Sequence, residues 1–152
     1  MNDKSKAPNF LGLIDENNHI SLDDYKGSFL IIYFYPKDKT SGCTVESQDF
    51  RDCKDKFAKK NCKIVGVSRD SIKSHLSFIE KESLNFPLIS DPDETMCDAY
   101  GVMKEKSMYG RKYMGIERST FIIDPEGNLI KEWRGVKVPG HVEEVYNFIC
   151  EL

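Results

Sequence analysis

Residues Phe29 to Tyr35 are seven consecutive apolar positions, rich in β-branched and aromatic types. Such a run reads as a strand buried on both faces, at the centre of an α/β sheet. Before it, Phe10 to Leu13 and His19 to Leu22 flank the turn-rich Asp15-Glu16-Asn17-Asn18, which predicts a hairpin. After it, Pro36 stops the strand and a polar loop runs from Lys37 to Gly42. The spacing then turns helical from about Cys43 to Lys60, with Phe50, Cys53 and Phe57 on one stripe. Lys63 to Ser68 reads as a strand, and Ser71 to Ser83 as a second helix with Ile72, Leu76 and Ile79 facing inward. Phe86 to Ile89 is a short strand. Asp91-Pro92-Asp93 opens a third helix that Gly101 closes. The basic, Gly-containing stretch from Val102 to Glu117 reads as an excursion over the surface. Ser119 to Ile123 and Leu129 to Arg134 form a hairpin around Asp124-Pro125-Glu126-Gly127-Asn128. A C-terminal helix from about Gly140 carries Val142, Val145, Ile149 and Leu152 on one face.

Stripped of its additions, this order is βαβ followed by ββα. It describes a thioredoxin-like α/β fold, three layers with a central mixed sheet and helices on both faces. The N-terminal hairpin and the middle helix are extensions of the minimal form. No repeat, linker or low-complexity tract interrupts the pattern, so residues 1–152 read as a single domain.

The composition supports a packed core, with 39% hydrophobic and 31% charged residues. The formal charge is −3 and the sequence pI near 5.7, which argues against a general nucleic-acid or membrane-surface binder. No apolar run approaches the roughly 18 residues of a membrane span. The polar segment Met1 to Pro8 lacks the apolar core of a secretory signal. Five cysteines, Cys43, Cys53, Cys62, Cys97 and Cys150, are separated by 10, 9, 35 and 53 positions, so no Cys-x-x-Cys exists. A reducing cytoplasm suits this spacing better than a secreted disulfide scaffold. His19, His75 and His141 stand alone and read as surface or turn residues, leaving no metal site.

Cys43 is the cysteine with a setting for chemistry. It follows a loop that leaves the carboxyl end of the central strand, where reactive groups gather in open α/β sheets. It also falls in the first turn of a helix, where unpaired N–H groups and the positive end of the helix dipole favour a thiolate. Position alone is equally consistent with a small buried residue at a helix start.

The pattern Pro36-x-x-x-Thr40-x-x-Cys43 resembles the active-site signature of the peroxiredoxins. Tyr33-Phe34-Tyr35-Pro36-Lys37-Asp38 with Gly42-Cys43-Thr44 is similar to the bacterioferritin comigratory protein (PrxQ) group of the AhpC/TSA family. The similarity continues through Phe86-Pro87-Leu88-Ile89-Ser90-Asp91, Ala99-Tyr100-Gly101-Val102 and Gly115-Ile116-Glu117-Arg118-Ser119-Thr120-Phe121-Ile122-Ile123-Asp124. The resemblance implies that Cys43 is the peroxidatic nucleophile, with Pro36, Thr40 and Arg118 completing the site. It further implies reduction of hydrogen peroxide and organic hydroperoxides to water and alcohols. No metal, haem or flavin is called for; electrons would come from thioredoxin, glutaredoxin or a low-molecular-weight thiol. Members are often monomeric. The physical roles are plain: Arg118 favours the ionised sulfur and donates to peroxide oxygens, while Thr40 Oγ and the Cys43 N–H position the substrate. Ionisation cannot carry the rate. Lowering any thiol pKa from about 8.5 to about 6 raises its thiolate fraction at neutral pH only about thirtyfold. Donors aimed at the breaking O–O bond supply the larger effect.

Two departures matter. Many PrxQ-like proteins place a resolving cysteine five residues after the first, where this chain has Gln48. Others place it in the next helix, in a His-x-x-Phe-Cys context; here that stretch is His75-Leu76-Ser77-Phe78-Ile79. Cys53 lies roughly 15 Å along an intact helix from Cys43, beyond disulfide reach. Cys62, Cys97 and Cys150 have no assigned partner, so a one-cysteine cycle closed by an external thiol is expected. Ser41 also replaces the proline common before Gly-Cys. Two other readings stay open on sequence alone: a peroxide-sensing binding module without sustained turnover, and a non-catalytic thioredoxin-fold interaction protein. The cations Lys104, Lys106, Arg111 and Lys112 read as a solvated loop, not a nucleic-acid site.

Overall fold

The computed structural model describes residues 5–152, so the Met1–Lys4 part of the polar N-terminal tail lies outside the described residues. An eight-stranded sheet runs in the order β1 (Ser5–Lys6), β10 (Asn128–Arg134), β9 (Ser119–Ile123), β4 (Phe29–Phe34), β5 (Cys62–Ser68), β6 (Leu88–Ser90), β2 (Leu11–Leu13) and β3 (His19–Ser21). The central apolar run is β4, parallel to β5 on one side and antiparallel to β9 on the other. Burial on both faces is why it carries no polar alternation. Ile31, Tyr33 and Tyr35 point to one core, against Phe50, Phe57, Phe78 and Val145. Leu30, Ile32 and Phe34 point to the other, against Met96, Cys97, Tyr100 and Phe121. Thus α1 (Ser41–Ala58), α2 (Ile72–Glu82) and α4 (His141–Cys150) cover the first face, and α3 (Thr95–Ala99) the second. Gly66 lets the layers close: a Cβ there would stand 2.6 Å from Leu88 Cδ2 and 2.9 Å from Tyr33 Cζ.

The predicted order of strands and helices matches this thioredoxin-like architecture, and several details differ. The Val102–Glu117 excursion is a regular hairpin, β7 (Met103–Met108) with β8 (Arg111–Ile116), forming its own two-stranded sheet. Its turn uses the left-handed pair Tyr109 (φ 52°) and Gly110 (φ 77°), which matches the twist of a tight hairpin. On α2, Leu76 is exposed, and the buried positions are His75 and Phe78. Leu152 is also exposed, beyond the end of α4. His75 and His141, expected at the surface, are both buried. Each is held by polar partners: His75 by Asp38 and the Ile89 carbonyl, His141 by the Thr120 hydroxyl. Hydrophobic periodicity passes over such residues because their burial depends on partners supplied by distant elements.

Candidate active site

The site is assembled where β4 ends and β9 begins. Because these strands are antiparallel, Phe34 at the end of β4 pairs with Ser119 at the start of β9. The chain leaving β4 toward Cys43 and the residue before Ser119, Arg118, therefore meet at one end of the sheet. Pro36 is half-buried at the start of the loop. Thr40 is the N-cap of α1, in extended conformation (φ −77°, ψ 156°). Its hydroxyl donates to the Lys37 carbonyl at 2.9 Å and does not cap the helix. The helix starts at Ser41, two residues earlier than the spacing predicts, which places Cys43 third in its first turn.

Cys43 is fully buried. Arg118 Nη2 donates to its Sγ at 3.3 Å, while Nη1 donates to Glu46 Oε1 at 2.6 Å. One rigid guanidinium thus bridges the thiol and a carboxylate one helical turn further along α1, the i, i+3 spacing that puts both on one face. Gly42 makes room for this fork: a Cβ there would stand 3.3 Å from Arg118 Nη2. The structure brings together Cys43 and Arg118 of the predicted set, with Pro36 and Thr40 in the loop beside them. Among the described residues no hydrogen bond joins Thr40 to Cys43. With its proton spent on Lys37, its oxygen is left as an acceptor.

Two residues of this arrangement escaped sequence reasoning. Glu46 is fully buried and its Oε2 has no hydrogen-bond partner. Burial pushes its carboxyl up to about 7, with the Arg118 guanidinium pulling it back only part of the way. Arg118 itself is held above its ordinary value: burial opposes its charge, but Glu46 and Cys43 outweigh burial. The second is Lys106, on β7. Burial and the nearby charges of Arg118 and Arg69 lower its ammonium, with Cys43 and Glu117 offsetting them in part. Reading Val102 to Glu117 as an excursion over the surface conceals the paired hairpin on which Lys106, unlike the exposed Lys104, is half-buried.

The Glu46 shift has a measurable consequence. Between about 4.5, its ordinary value, and about 7, the folded chain holds a proton that the unfolded chain has lost. Stability therefore falls as pH rises through that window. Denaturant unfolding at pH 5 and pH 7 is expected to show a drop on the order of 1–3 kcal/mol that Glu46→Gln removes. Equal pH dependence in the two proteins would refute the assignment.

The remaining cysteines sit apart. Burial pushes the Cys62 thiol up to about 12 and raises Cys97 further still, aided by Asp91. Cys53 is half-buried on α1, packed against the core of Phe50 and Phe57, and is also raised by burial. Cys150 is exposed at the end of α4. At the usual resolving positions, Gln48 Nε2 donates to Glu82 Oε1 at 2.7 Å, clasping α1 to α2, and Ile79 packs against the core. Asp38, Asp70 and His75 bring one ligand atom each within 4.8 Å of one another, and Asp38 Oδ2, Asp70 Oδ2 and His75 Nδ1 are engaged in hydrogen bonds.

Comparison with known proteins places this geometry. Residues 4–132 match the AhpC/TSA family. Peroxiredoxin Bcp of Bacillus subtilis is 50% identical over 147 residues, covering 97% of this chain and 94% of that protein. Among solved structures, PrxQ of Xylella fastidiosa superposes with a TM-score of 0.92 at 42% identity, over 99% of this chain and 96% of that one. The bacterioferritin comigratory protein of Xanthomonas campestris, solved in a study of its alkyl peroxide reduction activity, gives 0.89 at 46% identity over 93% and 90%.

Proposed function

The chain belongs to the AhpC/TSA family, among its Bcp/PrxQ peroxiredoxins, and from that membership we propose how its residues divide the work of a thiol-dependent peroxidase. Cys43 Sγ is the nucleophile. It attacks one peroxide oxygen, forming an S–O bond as the O–O bond breaks; the departing oxygen takes a proton and leaves as water or an alcohol. Cys43 is left as a sulfenic acid. Arg118 favours the thiolate and donates to the oxygen on which charge develops. Pro36 and Thr40 hold the loop around the reacting atoms. The observation that carries this reading is the 3.3 Å contact between Arg118 Nη2 and the buried sulfur.

Hydrogen peroxide and organic hydroperoxides are the substrates, in antioxidant defence and redox homeostasis. The second half of the cycle belongs to an external thiol: thioredoxin, glutaredoxin or a low-molecular-weight thiol. It condenses with the sulfenic acid to a mixed disulfide, releasing water, and a second thiol then frees Cys43. The raised thiols of Cys53, Cys62 and Cys97 support this, because attack requires a thiolate. We take the chain as a single-domain monomer of a reducing cytoplasm; Cys43, Glu46 and Arg118 meet within one copy. No helix among the described residues is long and apolar enough to cross a membrane.

Intact-mass and peptide analysis after one equivalent of peroxide tests this cycle. A gain of one oxygen, trapped on Cys43 by a sulfenic-acid reagent, is expected. Loss of two hydrogens, with a disulfide peptide naming a partner, would replace it with an internal one.

A further inference from the structure

Beneath the loop that leads to Cys43 lies a buried polar network that the peroxide chemistry does not use. Asp38, in the middle of the loop, accepts from Tyr35 OH at 2.6 Å and from Ser74 Oγ at 2.8 Å. Its Oδ2 lies 2.7 Å from His75 Nδ1, and both side chains are 1% exposed. His75 Nε2 faces the Ile89 carbonyl at 3.0 Å. A carbonyl only accepts, so Nε2 carries hydrogen; at Nδ1 two lone pairs 2.7 Å apart would repel, so a proton lies between the ring and the carboxylate. Burial pushes the Asp38 carboxyl up, but the bonds and charge of His75, with those of Tyr35 and Ser74, bring it below its ordinary value.

The same loop is tied down twice more. The Asp38 N–H donates to Asp70 Oδ2 at 2.8 Å, an oxygen that also accepts from Ser68 Oγ at 2.6 Å. Lys39 Nζ donates to Ser77 Oγ at 2.7 Å. Lys39 itself has φ 66°, a left-handed conformation that is strained for a side chain of this kind. The loop is thus strained next to the residue, Thr40, that begins the Cys43 helix, and the ties hold the strain.

We propose that the Asp38–His75 pair is a latch that positions the loop before Cys43, setting the balance between a closed site that reacts with peroxide and an open one that admits larger thiol reagents. Both are positioning residues; neither touches the sulfur. Closed, the latch keeps Thr40 and the first turn of α1 where Arg118 meets Sγ. Released, Lys39 relaxes and the first turn separates from the guanidinium. Because the chain has no cysteine at either usual resolving position, an outside thiol must reach a sulfur that is fully buried in the closed state. The latch therefore acts in opposite directions on the two halves of the cycle. The inference rests on Cys43 as the reacting thiol, but its main readout does not need peroxidase activity.

Two substitutions at one position test it. In His75→Gln the amide still reaches toward Ile89 but gives Asp38 no donor; in His75→Asn the amide replaces Nδ1. With His75→Gln, oxidation of Cys43 in stopped-flow is expected to slow by up to about 10²-fold, the cost of misplacing a reacting atom by roughly 1 Å. Alkylation of reduced Cys43 by iodoacetamide, followed by peptide mapping, should accelerate about tenfold, the effect of losing a charged hydrogen bond on the opening equilibrium. His75→Asn should restore both most of the way. Rates that fall together, rates that do not change, or no rescue by asparagine would overturn the latch. If circular dichroism finds His75→Gln unfolded, Ser74→Ala removes one Asp38 donor and should move the two rates apart by a few-fold; movement in the same direction, or none, overturns it equally. A wild-type chain inert to peroxide would refute the peroxidase roles of Cys43 and Arg118, yet the alkylation rates would still read the latch.

Discussion

Cys43→Ser is expected to reduce peroxide consumption to the background of free reagents, whatever thiol reductant is supplied. A serine hydroxyl is neutral at working pH and has no adjacent base to activate it; the nearest group, Arg118, is a cation that donates. The other cysteines cannot replace the lost sulfur. Cys62 and Cys97 are buried with raised thiols, the charge of Arg69 offsetting the rise at Cys97 only in part. The variant should fold normally, because the hydroxyl fits the space and can accept from Arg118 Nη2. Consumption by the variant at anything like the wild-type rate, with matched circular dichroism, would remove Cys43 from the mechanism.

Arg118→Ala is expected to slow the oxidation step by about 10²–10³-fold, the usual cost of removing one donor from a preorganised site. This change has a second effect that must be separated from the first. It also strips Glu46 of the hydrogen-bonded partner on Oε1, in a carboxylate whose Oε2 already has none. A buried acid so isolated takes up a proton, at a stability cost of about 1–3 kcal/mol. Pairing Arg118→Ala with Glu46→Gln should recover much of that stability and none of the rate. Arg118→Lys divides the effects differently: the charge stays, but a point ammonium cannot replace a fork that donates to both Sγ and Glu46. Stopped-flow oxidation measured beside denaturant midpoints distinguishes these outcomes. A double variant that regained the rate would mean that Arg118 matters only for stability.

The sequence made the frame legible for physical reasons that can be traced to particular residues. Phe29 to Phe34 announces a central strand because both its faces are covered. The Asp124–Asn128 turn announces a hairpin because its local chemistry is independent of the rest of the fold. Position at a strand end and helix start singles out Cys43 without deciding its role, whereas Arg118 enters only through the family pattern; nothing local in the residues around Arg118 points to a sulfur 75 positions away. Glu46 and His75 were missed for the same reason. A glutamate on a helix reads as solvated, and a lone histidine reads as surface, until a distant element brings the guanidinium or carboxylate that lets each be buried. On α2 the alternatives differed by one residue of rotation: Leu76 is the more apolar choice, yet His75 faces in, where Asp38 meets it.

The pairing of β4 with β9 has a consequence for the order of events as the chain folds. β4 and β5 are joined by one helix and meet early in sequence, whereas β9 must cross most of the chain to reach β4. Contacts of high sequence separation require large loops to close and tend to form late. Arg118 stands immediately before β9, so it arrives only when that long-range pairing is made. A nascent or partly folded chain would already hold Cys43 on its helix but without the guanidinium. Reactivity toward peroxide is then acquired when β9 docks on β4, and recovery of the oxidation rate on refolding would time the arrival of β9.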